Sequence, residues 1–173
     1  MGELDDWRSC PRCRTDLRGD ASRLECGSCG FVVYAASKPT ASALCVDERG
    51  RVLLVRRAVE PYVGAWDAPG GFLDEGEHPV DGLRRELREE TGLDVEPEEF
   101  LGVWVDRYGG DSTAQATLNL YWRARVVAGE PRAADDVAEL RWFERDALPA
   151  PDELAFENVA QALALWRLRD EHA

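Results

Sequence analysis

Three glutamates with close spacing on one predicted helix are the residues of this chain best suited to chemistry. Glu86, Glu89 and Glu90 stand at the i, i+3 and i+4 positions, which on a helix fall within an arc of roughly 100°. Like charges at this spacing repel each other by about a few tenths of a kcal/mol per pair. A hard divalent cation reverses that cost, because Mg²⁺ takes oxygen ligands from one or two carboxylates together with substrate phosphates. The spacing therefore predicts a divalent-metal site on this helix.

The helix that must hold these glutamates is marked at both ends. Pro79 stands at the expected first turn and Thr91-Gly92 supplies the stop signal, since proline is favoured at helix starts and glycine just past helix ends. Gly82 lies inside the helix at a cost of about 1 kcal/mol relative to alanine, and we interpret it as a point of close packing against a strand. The stripe predicted to face the core consists of Val80, Leu83 and Leu87.

Four of the five cysteines form two Cys-x-x-Cys pairs separated by twelve residues. In a reducing compartment such pairs are typical of a tetrahedral zinc site, while a redox motif or two unrelated pairs are the alternatives. Arg14 follows the first pair where a small residue turns more easily, and Gly30 follows the second. Cys45 stands alone in an apolar run, which predicts a buried core thiol. The predicted zinc ligands are Cys10, Cys13, Cys26 and Cys29.

Length and charge limit the kind of protein this can be. The 173 residues suffice for one domain of common size and a small appendage. Residues 1–36 are too few to fold without a cross-link or a metal ion, so we expect a ribbon held by one structural Zn²⁺ there and the main domain at 37–173.

The net charge of −13 argues against a nucleic-acid or membrane-binding surface. No apolar run approaches a membrane span of about 20 residues and the N-terminus is acidic, which predicts a cytoplasmic protein.

The main domain reads as a mixed α/β fold. Two short apolar runs, 41–46 and 52–55, flank a polar turn and predict a hairpin. Three later segments, 100–105, 117–127 and 138–143, have strand character. A last helix is predicted at about 152–169 from its apolar spacing.

At this point the sequence resembles a known family. The pattern is similar to the complete Nudix box, and the resemblance extends over about residues 40–169. The segment in front is similar to the zinc ribbon of NADH pyrophosphatases and of smaller zinc-ribbon Nudix hydrolases. The residues that match the box are Gly71, Glu77, Arg85-Glu86-Leu87, Glu89-Glu90 and Gly92-Leu93.

This resemblance implies an α/β/α sandwich around a mixed sheet and hydrolysis of a phosphoanhydride bond in a nucleoside diphosphate joined to another group. Two or more Mg²⁺ or Mn²⁺ ions are expected at Glu86, Glu89 and Glu90, with the Gly71 carbonyl as a further ligand by resemblance. Arg85 is expected to orient a carboxylate, Glu89 being four residues further along the helix.

The general base is expected either in the box, which we favour, or on a later loop. Glu86 and Glu89 are the candidates in the box, and Asp135, Asp136 and Glu139 are those beyond it. One of the later carboxylates is alternatively a further metal ligand, and the Asp135-Asp136 pair is equally well explained as a solvated turn.

The nucleotide is less well specified than the reaction. Aromatic residues that stack a base are expected to include Trp66, Phe72, Trp104 and Tyr108, although such residues are more often core. ADP-ribose, giving AMP and ribose 5-phosphate, is the expected substrate. The alternatives are a nucleoside triphosphate, including an oxidised one, NADH and a dinucleoside polyphosphate; the stretch at 101–109 lacks the Ser-Gln-Pro-Trp run of NADH pyrophosphatases.

Two other classes of function compete with the enzyme. One is a catalytically silent Nudix module that senses a nucleotide, and the other is a ribbon that recruits RNA or a protein. The ribbon segment balances its arginines with acidic residues, which is no nucleic-acid footprint. We therefore expect a small-molecule partner, a structural ribbon and, as a further possibility, a homodimer.

Overall fold

The N-terminal part of the chain forms a small sheet of its own. The structure is a computed structural model and describes residues 3–109 and 115–170. Its first three strands pair antiparallel in chain order, and none of them pairs with a later strand in the described residues. They are β1 (Leu17–Gly19), β2 (Arg23–Cys26) and β3 (Val32–Tyr34).

A second, mixed sheet forms the main body. Its strand order is β10-β5-β4-β9-β8, with β6 added beside β5 and β7 beside β4. Only β4 and β9 run parallel among the described pairs. The predicted hairpin is confirmed as the antiparallel β4–β5 pair. The strands are β4 (Lys38–Val46), β5 (Val52–Arg57), β6 (Trp66–Asp67), β7 (Gly70–Phe72), β8 (Leu93–Tyr108), β9 (Gln115–Gly129) and β10 (Val137–Phe143).

One helix covers each face of this sheet, which confirms the predicted α/β/α sandwich. Helix α1 (Pro79–Thr91) packs Leu83 and Leu87 into one apolar cluster, and α2 (Glu157–Asp170) packs Val159 and Trp166 into the other. Successive side chains of β4 alternate between the clusters, because a strand presents them to opposite faces. A strand buried on both sides tends to form a continuous apolar run, as residues 43–46 of β4 do, whereas Thr40 and Ser42 nearer its start are polar.

Both ends of α1 fall where the sequence predicts them. The His78 ring accepts a hydrogen bond from the Val80 N–H at 3.3 Å, and Gly92 ends the helix with a φ of 71°. The close approach at Gly82 is to the loop before the helix and not to a strand: a Cβ there would lie 2.3 Å from Leu73 Cδ2 and 2.8 Å from Glu77 Oε2.

The C-terminal helix starts later than predicted. A short 3-10 helix spans Pro151–Glu153, and α2 begins only at Glu157. Between them the chain is extended because Leu154 forms a parallel bridge with Trp66, whose carbonyl accepts a hydrogen bond from the Ala155 N–H at 2.8 Å. Apolar spacing cannot reveal such a contact, since the pairing partner lies far away in the sequence.

Strand β8 is much longer than predicted, and β9 extends two residues further at each end. The missed first part of β8 is acidic and contains Pro97, features that argue against a buried strand. On the outer edge of a sheet they are tolerated, because charge and proline limit pairing with other chains. No helix in the described part of the chain is long and apolar enough to cross a membrane.

Candidate active site

Polar side chains from most of the main-sheet strands converge on a pocket of about 220 Å³. Helix α1 supplies one wall, and the loop after β9 and the start of α2 supply others. The pocket is lined by Thr40, Ser42, Arg57, Asp67, Ala68, Gly70, Gly71, Phe72, Glu86, Glu90, Tyr108, Thr117, Asn119, Tyr121, Asp135, Asp136, Phe156 and Asn158.

Two of the predicted glutamates lie against the glycines of β7. Glu90 is only 7% exposed, and its Oε2 accepts a hydrogen bond from the Gly70 N–H at 2.9 Å. A Cβ on Gly71 would lie 2.5 Å from the Glu86 carboxyl carbon, so a side chain here would displace that carboxylate. The absence of a side chain at Gly71 thus lets Glu86 lie directly against the backbone of β7.

Negative charge accumulates in this pocket without an equal number of cations. Burial raises the pKa of Glu90 well above its ordinary value, and Asp136, Asp67 and Glu86 raise it further. Burial also raises the pKa of Glu86, although Arg85 opposes the shift. Desolvated carboxylates beside one another are costly to ionise, and a divalent cation with oxygen ligands removes that cost. These residues therefore fit such an ion.

Arg85 ties the helix to the loop in front of it. Its guanidinium donates to both Glu77 oxygens at 2.9 and 2.8 Å, to Glu86 at 2.7 Å and to the Phe72 carbonyl at 3.1 Å. It also donates to Glu89 at 3.2 Å, the contact predicted from the spacing. Hydrogen bonds from Arg85 lower the pKa of Glu77 to about 2. Arg85 thereby holds Glu86 at a defined position.

The structure separates the three predicted glutamates into two groups. Glu86 and Glu90 line the pocket, whereas Glu89 does not and leaves half of its side chain exposed. Strand β7 covers Glu86 and Glu90 but not Glu89, which pairs with Arg85 instead. Helix spacing alone places all three on one face and does not show this difference.

The loop after β9 brings two further carboxylates to the pocket. Hydrogen bonds fix it to the end of α1, where the Ala134 N–H donates to the Glu90 carbonyl at 3.0 Å, and to the segment after β5, where the Ala58 N–H donates to the Asp136 carbonyl at 2.7 Å. Asp135 adopts a left-handed φ of 54°, and both aspartates line the pocket.

Glu139, the third later candidate, lies outside the pocket. It is on strand β10 and forms ion pairs with Arg56 at 3.4 Å and Arg141 at 2.5 Å. Its carboxylate is thus neutralised by one arginine of the neighbouring β5 and one of its own strand.

Two of the four predicted aromatic residues reach the pocket. Phe72 and Tyr108 line it and meet edge to face at 5.4 Å. Trp66 is buried against Phe143 at 4.9 Å, and Trp104 packs on Tyr121 at 5.3 Å, so both belong to the core cluster under α2.

Sequence reasoning missed the wall built around Arg57. This arginine is nearly buried and donates to Asp67 Oδ2 at 3.1 Å, to the Tyr108 hydroxyl at 3.0 Å and to the Pro61 carbonyl at 2.7 Å. Burial raises the pKa of Asp67 to about 6, although the Arg57 charge acts in the opposite direction. The sequence did contain an indication of this wall. Arg57 ends the apolar β5 run, and a charged side chain at such a position needs a partner if it is buried.

The four cysteines of the N-terminal unit are arranged to hold one ion. In residues 3–109 and 115–170 they are the one set of three or more metal-binding side chains whose ligand atoms lie within 4.8 Å of one another. The Cys10–Cys29 and Cys13–Cys26 sulfurs are 3.5 and 3.4 Å apart. A tetrahedral zinc with bonds of about 2.3 Å places its sulfurs about 3.8 Å apart, so the cluster fits zinc.

The two cysteine pairs have the same backbone turn. Arg14 and Gly30 adopt left-handed φ values of 62° and 70°, and their N–H groups donate to the carbonyls of Cys10 and Cys26 at 2.9 and 3.0 Å. Arg14 therefore adopts the same turn as Gly30, although a small residue was expected to turn more easily there. Cys45 is fully buried, as predicted.

Known proteins resemble this chain over most of its length. Residues 36–163 match the family described as the NUDIX domain. A MutT-like protein of Streptomyces ambofaciens is 33% identical over 129 residues, which cover 75% of this chain and 73% of that protein. An ADP-ribose pyrophosphatase of Methanocaldococcus jannaschii is 31% identical over 126 residues, 70% of each chain. The crystal structure of a NUDIX hydrolase from Nitrosomonas europaea matches with a TM-score of 0.78 and 25% identity over 96% of this chain and 93% of its own.

Proposed function

The chain belongs to the Nudix family and is a Nudix hydrolase, and from this premise we propose that it cleaves the phosphoanhydride bond of a nucleoside diphosphate joined to a second group. The expected substrate is ADP-ribose and the products are AMP and ribose 5-phosphate. One relative of similar length is named for that substrate, which supports the choice.

The observation that carries this proposal is the pair of desolvated carboxylates, Glu86 and Glu90, placed directly against the glycines of β7. When bound there, Mg²⁺ or Mn²⁺ would neutralise the diphosphate and lower the pKa of a coordinated water. We assign Glu86, Glu90 and the Gly71 carbonyl as ligands, with Glu89 at the solvent side as a ligand when more than one ion binds.

The chain's own residues then have distinct roles. Arg85 keeps Glu86 in place through its bonds to Glu77 and the Phe72 carbonyl. We assign the general base to the Asp135-Asp136 pair, since both line the pocket while Glu89 and Glu139 do not, and since Glu86, which also lines it, is assigned to the metal. A base must lie within hydrogen-bond reach of the proton that it removes, and the pinned loop supplies such a position.

The rest of the pocket suits a nucleoside. Phe72 and Tyr108 offer apolar ring surface for a planar base. The hydroxyl of Thr40 donates to Asn119 Oδ1 at 2.8 Å, and the Asn119 amide donates to Thr117 at 3.0 Å, so a connected polar floor is available to sugar hydroxyls.

Hydrolysis of ADP-ribose in oxygen-18-labelled water tests the reaction. With Mg²⁺ we expect AMP and ribose 5-phosphate, with label in the phosphate of one product and no turnover after chelation of the metal, because in-line displacement breaks only the anhydride. Orthophosphate released directly from ADP-ribose would contradict the mechanism. Tight nucleotide binding without turnover across a broad substrate panel would favour the sensing module.

The N-terminal unit is part of the same proposal. We place a structural Zn²⁺ in the cluster of Cys10, Cys13, Cys26 and Cys29, and a zinc ribbon at residues 1–36 followed by the hydrolase domain at 37–173. The separate three-stranded sheet supports this division. Reduced cysteines support a cytoplasmic location, while a homodimer stays a prediction.

A further inference from the structure

A second cavity of about 500 Å³ adjoins the pocket. Phe156 lines both spaces, so the two are neighbours. Tyr62 and Glu157 border the second cavity together with Asp106 and Arg107 of β8. None of the proposed metal ligands or base candidates lines it.

A row of four aromatic rings connects the two spaces. Phe72 meets Tyr108 edge to face at 5.4 Å, Tyr108 stacks on Phe156 at 5.6 Å with an angle of 21°, and Phe156 meets Tyr62 at 5.2 Å with an angle of 90°. The row therefore has two corners of nearly perpendicular rings, Phe72–Tyr108 in the pocket and Phe156–Tyr62 in the second cavity. A planar group in such a corner stacks on one ring and meets the other at its edge.

The ring of Tyr62 is held at this place by its loop. Tyr62 has a left-handed φ of 64°, which is unusual for a large side chain. Its carbonyl accepts from the Ala65 N–H at 3.1 Å, and Arg57 Nε donates to the neighbouring Pro61 carbonyl at 2.7 Å. The side chain nevertheless stays 40% exposed. Strained backbone that keeps an exposed ring beside a cavity is characteristic of a binding position rather than of core packing.

The charges that line the second cavity favour an uncharged ligand over a phosphate. Asp106 and Glu157 are acidic and Arg107 is the one cation among the described residues that line it. Asp106 Oδ2 accepts from the Asn158 amide at 2.9 Å, and Glu157 Oε1 accepts from the Gln161 amide at 3.1 Å. The remaining carboxylate lone pairs can accept bonds from amino groups. An uncharged heterocycle with amino donors fits this combination of rings and carboxylates better than an anion does.

We propose that the second cavity binds a second planar base, so that the enzyme accepts, besides ADP-ribose, diphosphates that join two nucleosides. This inference rests on the proposed hydrolase function, which places the diphosphate beside Glu86 and Glu90. One nucleoside then occupies the Phe72–Tyr108 corner and the other extends past Phe156 to Tyr62.

The test replaces the ring of Tyr62 without straining its backbone. Tyr62→Asn removes the ring at a position where asparagine tolerates a left-handed conformation, Tyr62→Phe keeps the ring, and Val63→Ala alters an exposed neighbour that lines neither space. We measure kcat/KM for diadenosine diphosphate and for ADP-ribose with Mg²⁺. Tyr62→Asn is expected to lower the ratio of the first to the second about tenfold, while Tyr62→Phe and Val63→Ala leave it unchanged.

Binding of both ligands, measured by calorimetry on the same variants, separates this inference from the hydrolase proposal. A selective loss of diadenosine diphosphate affinity in Tyr62→Asn supports the second site even without turnover, and that absence of turnover would then contradict the hydrolase proposal alone. An equal loss for both ligands, no loss for either, or no binding of diadenosine diphosphate by the unaltered protein overturns the second site.

Discussion

Burial distinguishes glutamates that the sequence makes equivalent. Glu90 lies under the Gly70 N–H and Glu86 against Gly71, whereas Glu89 is half exposed beside Arg85. A metal ligand that is enclosed by protein has no substitute when it is lost, while water can replace an exposed one. The three carboxylates therefore differ in their expected contribution to catalysis.

The first prediction compares two glutamate-to-glutamine changes of the same size. Glu90→Gln should lower kcat by about a hundredfold or more, because it removes a charge from the enclosed side of the metal site. Glu89→Gln should lower it by about tenfold or less. Steady-state hydrolysis of ADP-ribose at saturating Mg²⁺ measures both, and circular dichroism checks the fold. Equal losses would assign Glu89 to the enclosed site as well.

The second prediction concerns how the stability of the protein depends on pH when no Mg²⁺ or Mn²⁺ is bound. Because the folded state raises the pKa of Glu90 above its ordinary value, it binds that proton more tightly than the unfolded chain does. The stability that this proton contributes is fully present below the ordinary glutamate pKa of 4.5. It is lost as the pH rises through the raised pKa of Glu90 in the folded protein. Asp67, whose pKa burial raises to about 6, adds a loss of the same sign.

Thermal unfolding from about pH 5 to about pH 8 measures this effect. Without Mg²⁺ the melting temperature of the protein should fall as the pH rises, and Glu90→Gln should make this decrease smaller. Mg²⁺ should raise the melting temperature more at the alkaline end, because binding requires deprotonated carboxylates. A melting temperature independent of pH in this range would show that the carboxylates are better solvated than the structure indicates.

At the scale of elements, α1 and the loop before it act as one unit. Leu73 and Glu77 lie on Gly82, and Arg85 returns from the helix to Glu77. The glycine that weakens the helix in isolation is therefore what lets the loop approach it. Helix propensity favours alanine at position 82, whereas the contacts with Leu73 and Glu77 favour glycine.

The third prediction is that Gly82→Ala destabilises the protein although alanine favours helix by about 1 kcal/mol. The added Cβ would lie 2.3 Å from Leu73 Cδ2 and 2.8 Å from Glu77 Oε2, so both side chains must move and Glu77 is drawn away from Arg85. Overpacking of this kind costs about 1–3 kcal/mol. Urea unfolding measures the change. Gly27→Ala is the control, since nothing lies within 4 Å of a Cβ there and its φ is not left-handed. A more stable Gly82→Ala protein would refute the packing argument.

The fourth prediction uses the matching turns of the two cysteine pairs. Arg14 has the same left-handed conformation as Gly30, and a non-glycine residue there costs roughly 1 kcal/mol. Arg14→Gly should therefore slow the loss of zinc to a chelator, and Gly30→Ala should accelerate it. Zinc release followed with a colorimetric chelator tests both; faster release from Arg14→Gly would show that its side chain stabilises the ribbon.

At the scale of the whole molecule, the chain has two candidate metal sites, one with soft thiolate ligands and one with hard carboxylate ligands. The cysteine cluster belongs to the N-terminal sheet, and the carboxylate pocket is assembled by the main sheet and α1. Thiolates suit zinc and carboxylates suit magnesium. The two metals should therefore be removable separately.

The fifth prediction follows the five thiols. With zinc bound, a thiol reagent should modify none of them, and after zinc chelation it should modify Cys10, Cys13, Cys26 and Cys29. Cys45 should react only on unfolding, because burial raises the pKa of its thiol to about 12 and leaves little thiolate at neutral pH. Hydrolysis with Mg²⁺ should persist after zinc is removed. Reaction of all cysteines in the untreated protein would refute the zinc site.

The sequence by itself determined those features whose parts lie close together along the chain. The ends of α1 follow from a proline and a glycine, the β4–β5 hairpin from two apolar runs around a polar turn, and the cysteine cluster from the spacing within each pair. Each depends on a few neighbouring residues, and local stereochemistry or ligand spacing specifies it. The family resemblance added the sandwich fold and the reaction class.

Only the tertiary structure decided which of the remaining candidates meet. Asp135 enters the pocket and Glu139 does not, because the loop is fixed to α1 while β10 pairs Glu139 with two arginines. Trp66 is placed in the core, and Arg57 and Phe156, which sequence reasoning passed over, form the pocket wall. These outcomes depend on the strand order and on the parallel pairing of β4 with β9. Contacts between residues so far apart along the chain arise from packing of whole elements, which no local pattern encodes.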